Sequence, residues 1–172
     1  PRSALALLAG EMHGHPDREL SLVGLTGSLG KTSTALLTEA ALTGGGEMVG
    51  VIGSLGIRLG RSVVETGMTT PEAPAIHGAL RAMVDRGARV AVMEVTSHSI
   101  RLRRVRGLEF AAGALTNIVP DEHLEFHPTP EHYIRTKMQS FDMLAPGAPL
   151  IVNVDDEVGR RVTRDIGRPV ID

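Results

Sequence analysis

The stretch VGLTGSLGKTST, Val23 to Thr34, ends a glycine-rich run with a lysine and three hydroxyl residues. Consecutive Gly-rich backbone can turn several N–H groups toward one anion, and a helix that follows adds its positive end. Lys31 can then reach terminal phosphates, and the Thr32 hydroxyl can sit on Mg²⁺. The strict phosphate-loop pattern is not met: its leading glycine would fall at Leu25, whereas Gly24 is one residue early and Gly27 two late. The chemistry itself needs only Gly27, Gly30, Lys31 and Thr32 between a strand and a helix. The expected nucleotide loop is Thr26, Gly27, Ser28, Leu29, Gly30, Lys31, Thr32 and Ser33. The competing reading is a helix-entry turn with an incidental lysine. No Asn-Lys-x-Asp element accompanies the loop, which favours ATP over GTP.

Two further stretches could do chemistry. Glu94 closes the apolar run RVAVMEV, and a carboxylate there is costly unless it is paired or metal-bound. A hard Mg²⁺ ion bridging phosphates is a sufficient reason for it. EHLEFH, 122–127, resembles a zinc-protease motif but does not meet it, because Leu124 rather than Glu follows His123. From spacing alone, His123 is more often structural than ligating, and Lys137 reads as a surface lysine on an amphipathic helix.

These residues must be held by alternating strands and helices. Leu5 to His13 reads as a short helix and Leu20 to Leu25 as a buried strand. Lys31 to Leu42 is helical and stops at TGGG. Residues 48–52 form a strand, GIRLGRSVVE a small hairpin, and about Pro74 to Arg86 a helix. RVAVMEV and FAAGALTNIV are strands of the buried parallel type, TPEHYIRTKMQSFDML is a helix from near Pro130, and APLIVNV is another strand. The pattern predicts an α/β fold, a doubly wound, mostly parallel sheet with a phosphate loop. Such sheets bind ligands beyond the carboxyl ends of their strands, where TGSLGKT, EVTSH and TNIVPDEH all fall.

The 172 residues carry a net charge of −2 and no cysteine, with aromatics at only 2%. That is about one domain. It gives no general attraction to nucleic acid or anionic membrane, and it excludes disulfides and Cys-ligated metals. No apolar run approaches a membrane span and no signal-peptide pattern is present, so a cytoplasmic protein with no membrane insertion is expected. The four arginines of RLRRVR lack flanking aromatics, which argues against nucleic acid. The chain opens at Pro1 and stops after RPVID, and it reads as a piece of a longer protein.

GLTGSLGKTST resembles the loop of the Mur ligases, usually Gly-x-Thr-Gly-Thr-x-Gly-Lys-Thr-Thr. MTTPEAPAIHGAL, VAVMEVTSHSIRLRRVRGLEF, ALTNIVPDEHLEFH, HYIRTKMQSF and IVNVDDEVG follow in the order of one branch, the UDP-N-acetylmuramoyl-tripeptide synthetases (MurE type). The resemblance implies an ATP-dependent amide-bond ligase of peptidoglycan synthesis. It would join diaminopimelate or lysine to UDP-MurNAc-L-Ala-D-Glu through an acyl phosphate, and act as a monomer. It implies Thr32, Glu94, His123 and a carbamoylated Lys137 at the metals, with Lys31, Glu94, His123 and Lys137 serving catalysis. Thr69, Thr70, Thr96 and Arg104 would hold the muramoyl peptide, and His98 would orient Glu94 or the substrate. His127 and His132 are expected to be structural or solvated.

The same resemblance implies that residues 1–172 are part of a central ATPase domain. The N-terminal uridine-binding and C-terminal amino-acid-binding domains would be absent, and the fragment alone would be inactive. Leu29, Met68 and Leu102 stand where the family has polar residues, and one extra residue, with Pro120, precedes His123. The alternatives are a folylpolyglutamate or cyanophycin synthetase-like ligase of the same superfamily, or a P-loop NTPase switch.

Overall fold

The structure is a computed structural model that describes residues 1–119, 122, 125–167 and 170–172. Eight strands among these form a single sheet in the order β4-β3-β2-β5-β1-β6-β7-β8. They are β1 (Ser21–Thr26), β2 (Val49–Gly53), β3 (Gly56–Leu59), β4 (Ser62–Val64), β5 (Val90–Glu94), β6 (Ala112–Leu115), β7 (Leu150–Val152) and β8 (Val170–Ile171). All neighbours from β2 to β8 run parallel. Only β3 and β4, the expected hairpin, are antiparallel. The predicted fold class is the observed one.

Helices cover both faces. They are α1 (Arg2–Met12), α2 (Lys31–Gly44), α3 (Ala73–Asp85), α4 (Ser97–Arg101), α5 (Pro130–Met138) and α6 (Glu157–Asp165). Successive strand residues point to opposite faces, so each apolar strand feeds two cores. On β5, Ala91 and Met93 join Leu22, Ile52, Ile76, Leu80 and Tyr133 on one face. Val92 joins Leu25, Ala35, Val49 and Val51 on the other. This is why the central strands are apolar throughout, with little alternation.

The site is positioned by the strand order. From β1 the chain passes over α2 to β2, two places away. It returns by α3 to β5, then crosses to the far side of β1 for β6. The reversal opens a crevice at the carboxyl end of β1. Register aligns the strand tips there: Leu25 lies opposite Glu94, and Thr26 opposite Leu115.

Four elements differ from the sequence reading. The run FAAGALTNIV is a strand only at Ala112–Leu115. Thr116 and Asn117 leave the sheet because their side chains bond to the Leu29 backbone instead. The helix from Pro130 is α only to Met138 and tightens to a 3₁₀ turn over Gln139–Met143. The short helices α4 and α6 carry no strong apolar run. They are set by caps, with the Thr96 hydroxyl accepting from Ser99 N and the Asp156 carboxylate from Gly159 N.

The α3 face gives a stability prediction. Ile76 is fully buried, whereas Leu37 on α2 is 71% exposed. Ile76→Ala is expected to cost about 2–5 kcal/mol, through lost transfer energy and a residual cavity. Leu37→Ala should stay within about 0.5 kcal/mol. Urea denaturation of the two variants checks the contrast.

Candidate active site

A cleft of about 530 Å³ opens at the carboxyl edge of the sheet. Ser28, Leu29, Gly30, Lys31 and Thr32 line it from the loop, and Thr69, Thr70, Glu94, Thr96, Arg104 and Lys137 are among its other lining residues. Stretches far apart in sequence therefore converge on one cavity. Of the remaining expected loop residues, Thr26 lies beneath with its hydroxyl on the Val95 carbonyl, 3.1 Å away. Gly27 is buried, and Ser33 is exposed on the first turn of α2. His123 lies outside the described residues.

The loop needs its glycines. Gly27 has φ 142°, and a Cβ there would fall 2.0 Å from the Thr116 hydroxyl. Gly30 takes φ 84° as the residue before α2, a left-handed conformation that costs other residues more. The loop is braced from behind. Ser28 N donates to the Asn117 carbonyl at 2.8 Å, Leu29 N to Asn117 Oδ1 at 2.9 Å, and Thr116 Oγ1 to the Leu29 carbonyl at 2.6 Å. The Leu29 side chain points to solvent, 57% exposed. Its backbone forms the loop, and the departure from a polar residue leaves the cradle intact.

Glu94 is 1% exposed. Its donors are neutral: Ser54 N at 2.9 Å, Thr32 Oγ1 at 3.0 and 3.1 Å, and Ser54 Oγ at 3.4 Å. Gly53 makes room, since a Cβ there would meet Glu94 Oε1 at 2.3 Å. A buried carboxylate beside a hydroxyl is a hard oxygen pair that suits Mg²⁺. Among the described residues no group of three His, Cys, Asp or Glu side chains could hold a metal by itself. Further ligands must therefore come from the hydroxyl, from a bound phosphate or from residues outside that set.

Lys31 Nζ turns back on its own loop, donating to the carbonyls of Gly27 and Ser28, each at 2.7 Å. Burial pushes its pKa down, opposed by the Glu94 and Glu122 carboxylates. Lys137 is 2% exposed and also donates to the Gly27 carbonyl at 2.7 Å. It is not the surface lysine that spacing alone suggests. Burial first, then the Lys31 ammonium, push its pKa down to about 7, against the pull of Glu122. Much of its population is therefore a neutral, nucleophilic amine near pH 7.

The remaining wall is built from hydroxyls and one guanidinium. Thr70 Oγ1 donates to the Glu94 carbonyl at 2.7 Å and lies 3.2 Å from Thr96 Oγ1; the Thr69 hydroxyl lies 3.0 Å from Ser54 Oγ. Arg104 is held by Glu72 Oε1 at 2.9 Å and by the Thr70 carbonyl at 3.1 Å. His98 lies on the wall, its ring stacked on Phe126.

Sequence reasoning missed Ser54, Glu72 and Tyr133. The Tyr133 hydroxyl shares a 3.0 Å hydrogen bond with Ser28 Oγ, which also accepts from Val119 N. Burial raises the Tyr133 pKa to about 12, so it stays protonated. Ser54 directly follows a buried strand, the same position relative to β2 that the loop holds relative to β1, and that placement was the available signal.

The fold and the loop define a doubly wound α/β domain with a glycine-rich helix-entry loop, a buried carboxylate and a buried lysine at the mouth of one cleft. Residues 25–171 match the Mur ligase middle domain, and the chain belongs to that family. It is 44% identical over 155 residues to a UDP-N-acetylmuramoyl-L-alanyl-D-glutamate–2,6-diaminopimelate ligase of Chlorobaculum tepidum, covering 90% of this chain and 30% of that protein. It is 38% identical over 165 residues to the protein of that name from Clostridium perfringens, covering 96% and 33%. The chain thus spans about a third of the length of the curated relatives it matches. A solved structure of a UDP-N-acetylmuramoyl-L-alanyl-D-glutamate–2,6-diaminopimelate ligase superposes with a TM-score of 0.79 at 20% identity, over 95% of this chain and 36% of that one. A folylpolyglutamate synthase of Mycobacterium tuberculosis superposes at 0.76 with 15% identity, over 99% and 47%. These two likenesses show the shared fold. No helix among the described residues is long and apolar enough to cross a membrane.

The Lys137 pKa has a consequence for stability. The folded value, about 7, lies below the ordinary 10.5. Between those values the unfolded chain binds a proton that the folded chain does not, so stability falls as pH drops through this window. The expected slope from this group approaches about 1.4 kcal/mol per pH unit. Urea denaturation of CO₂-free protein from pH 7.5 to 9.5 should show that slope in the wild type, with Lys137→Met flatter by the same amount.

Proposed function

We propose that this chain is part of the central ATPase domain of an ATP-dependent amide-bond ligase. That enzyme would add diaminopimelate to UDP-MurNAc-L-Ala-D-Glu in peptidoglycan synthesis. The observation that carries the reading is the single cavity shared by the phosphate loop, Glu94, Lys137 and the Thr69, Thr70, Thr96 and Arg104 wall. The relatives at 38–44% identity, named for this ligation, supply the acceptor and the amine. Substrate domains on either side, a monomer and a cytoplasmic location belong to the same proposal, as does inactivity of the isolated segment.

The reaction has two steps. A carboxylate oxygen of the acceptor attacks the γ-phosphorus of ATP, the bond to the β–γ bridging oxygen breaks, and ADP leaves with that electron pair. The amine of the incoming amino acid then attacks the acyl carbon, phosphate departs with the C–O pair, and the amine's proton passes to solvent. The loop N–H groups cradle the β- and γ-phosphates, and Lys31 swings from its own loop carbonyls onto the transferring group. Arg104 and the threonine hydroxyls hold the acceptor's anionic and amide groups. Thr32, Glu94 and His123, with Lys137 as its carbamate, would hold Mg²⁺, which supplies neutralisation of phosphate charge. The carbamate forms when the neutral Lys137 amine attacks CO₂ and releases one proton. The near-neutral pKa and burial of Lys137 support that step.

In the parent protein, ADP release should depend on both UDP-MurNAc-L-Ala-D-Glu and diaminopimelate, and not on a folate acceptor. Lys31→Ala should lower it by about 10²–10³-fold, and intact-mass analysis should find one added CO₂ at Lys137. Unchanged turnover in Lys31→Ala would remove the ligase reading.

A further inference from the structure

His127 is fully buried, yet it belongs to none of the groups assigned above. Its Nε2 shares a 2.9 Å hydrogen bond with Ser97 Oγ, and its Nδ1 lies 3.0 Å from Nδ1 of His132. Ser97 opens α4 and lines the cavity, between Thr96 and His98. His132 lies on the first turn of α5, the helix that carries Tyr133 and Lys137. The residue before His127 acts on the same helix. The Phe126 ring stacks on His98 at 4.0 Å, the Arg101 guanidinium lies over that ring at 4.4 Å, and Arg101 Nη1 donates to the Phe126 carbonyl. The pair Phe126–His127 therefore grips α4 at Ser97, His98 and Arg101 and ties it to α5.

The wall held this way is the acceptor side of the cleft. Thr96 caps α4 by accepting from Ser99 N at 3.1 Å, and Ser99 Oγ donates back to the Thr96 carbonyl at 2.7 Å. A shift of Ser97 thus moves Thr96 and its 3.2 Å partner Thr70. The nucleotide loop is held by hydrogen bonds of its own, through Asn117, Thr116, Tyr133 and Lys137, and His127 meets that set through a ring-edge contact with Tyr133, 5.2 Å between centroids. With Nδ1 facing Nδ1, one imidazole donates and the other accepts, so His132 fixes the His127 tautomer and with it the sense of the Ser97 bond. A buried polar side chain with both nitrogens engaged is costly to truncate and well suited to fix one geometry.

We infer that His127 is a positioning residue for acceptor binding, acting through Ser97 to set the Thr96–Thr70 wall while leaving the nucleotide loop alone. This deepens the ligase reading and rests on it.

The test measures separate KM values for the muramoyl dipeptide and for ATP in the parent protein. The variants are His127→Ala, His127→Gln, His127→Asn, Ser97→Ala and the double variant Ser97→Ala/His127→Ala. Gln can place an amide near the Nε2 position and Asn near Nδ1. The expected result is a rise of about tenfold or more in acceptor KM for His127→Ala, with ATP KM within about twofold. His127→Gln should recover most of the loss and His127→Asn little of it, and the double variant should be no worse than the worse single one. Parallel rises in both KM values, unchanged acceptor KM in His127→Asn and Ser97→Ala alike, or additive losses in the double variant would overturn the inference. If His127→Ala does not fold, the Gln, Asn and Ser97→Ala arms decide it. A wild-type protein with no acceptor-dependent ADP release would overturn the ligase reading and this inference together. An active wild type with an unmoved acceptor KM overturns the inference alone.

Discussion

The buried carboxylate of Glu94 is the constraint to which the site is fitted. A charged group at the end of an interior strand loses several kcal/mol of hydration, and its surroundings answer that loss one by one. Gly53 gives up a side chain so that Oε1 has space. Ser54 turns its backbone N–H and hydroxyl inward, and Thr32 brings a hydroxyl from the first turn of α2. Parallel register delivers all of these to one point, because β2, β5 and β1 end together. The nearby Lys31 charge is stabilised by the same carboxylate. A glycine-rich loop that opens a helix therefore sits beside a buried carboxylate, and the Lys31 charge and that carboxylate each make the other less costly.

The two lysines carry the complementary half of the electrostatics. Both put Nζ on the Gly27 carbonyl, so two positive groups share one acceptor in a buried place. Glu122 offsets this only in part, and Lys137, the more buried, yields first. Its ring neighbour Tyr133, 4.7 Å from Nζ to the centroid, favours the charged form. Even so, desolvation and Lys31 outweigh that attraction. A neutral amine beside a cationic one is the arrangement that lets a lysine act as a nucleophile near pH 7 while its neighbour keeps its charge for phosphate.

Much of this was legible in the sequence, for physical reasons. Strands buried on both faces must be apolar throughout, so RVAVMEV and LVGLT are unmistakable, and Gly27 and Gly30 stand where the backbone needs positive φ. Glu94 was legible because a carboxylate ending such a run contradicts its surroundings. What stayed hidden were residues whose importance depends on a partner distant in the chain. Ser54 and Glu72 are ordinary polar residues until β2 is set beside β5 and Arg104 is brought to the start of α3. His127 was expected to be structural or solvated, and only the packing of α4 against α5 gives its two nitrogens their partners. Lys137 shows the same limit. Spacing placed it on an exposed helical face, and the topology buried it.

Helix α5 is where the separate halves meet. Tyr133 and Lys137, four residues apart, fall on one face and reach Ser28 and Gly27 of the nucleotide loop. His132, one residue before Tyr133, reaches α4 through His127. One rigid helix thus bonds to both walls of the cleft by different side chains. The two sets of contacts meet where the His127 ring edges onto Tyr133, 5.2 Å between centroids, and each wall of the cleft keeps hydrogen bonds of its own.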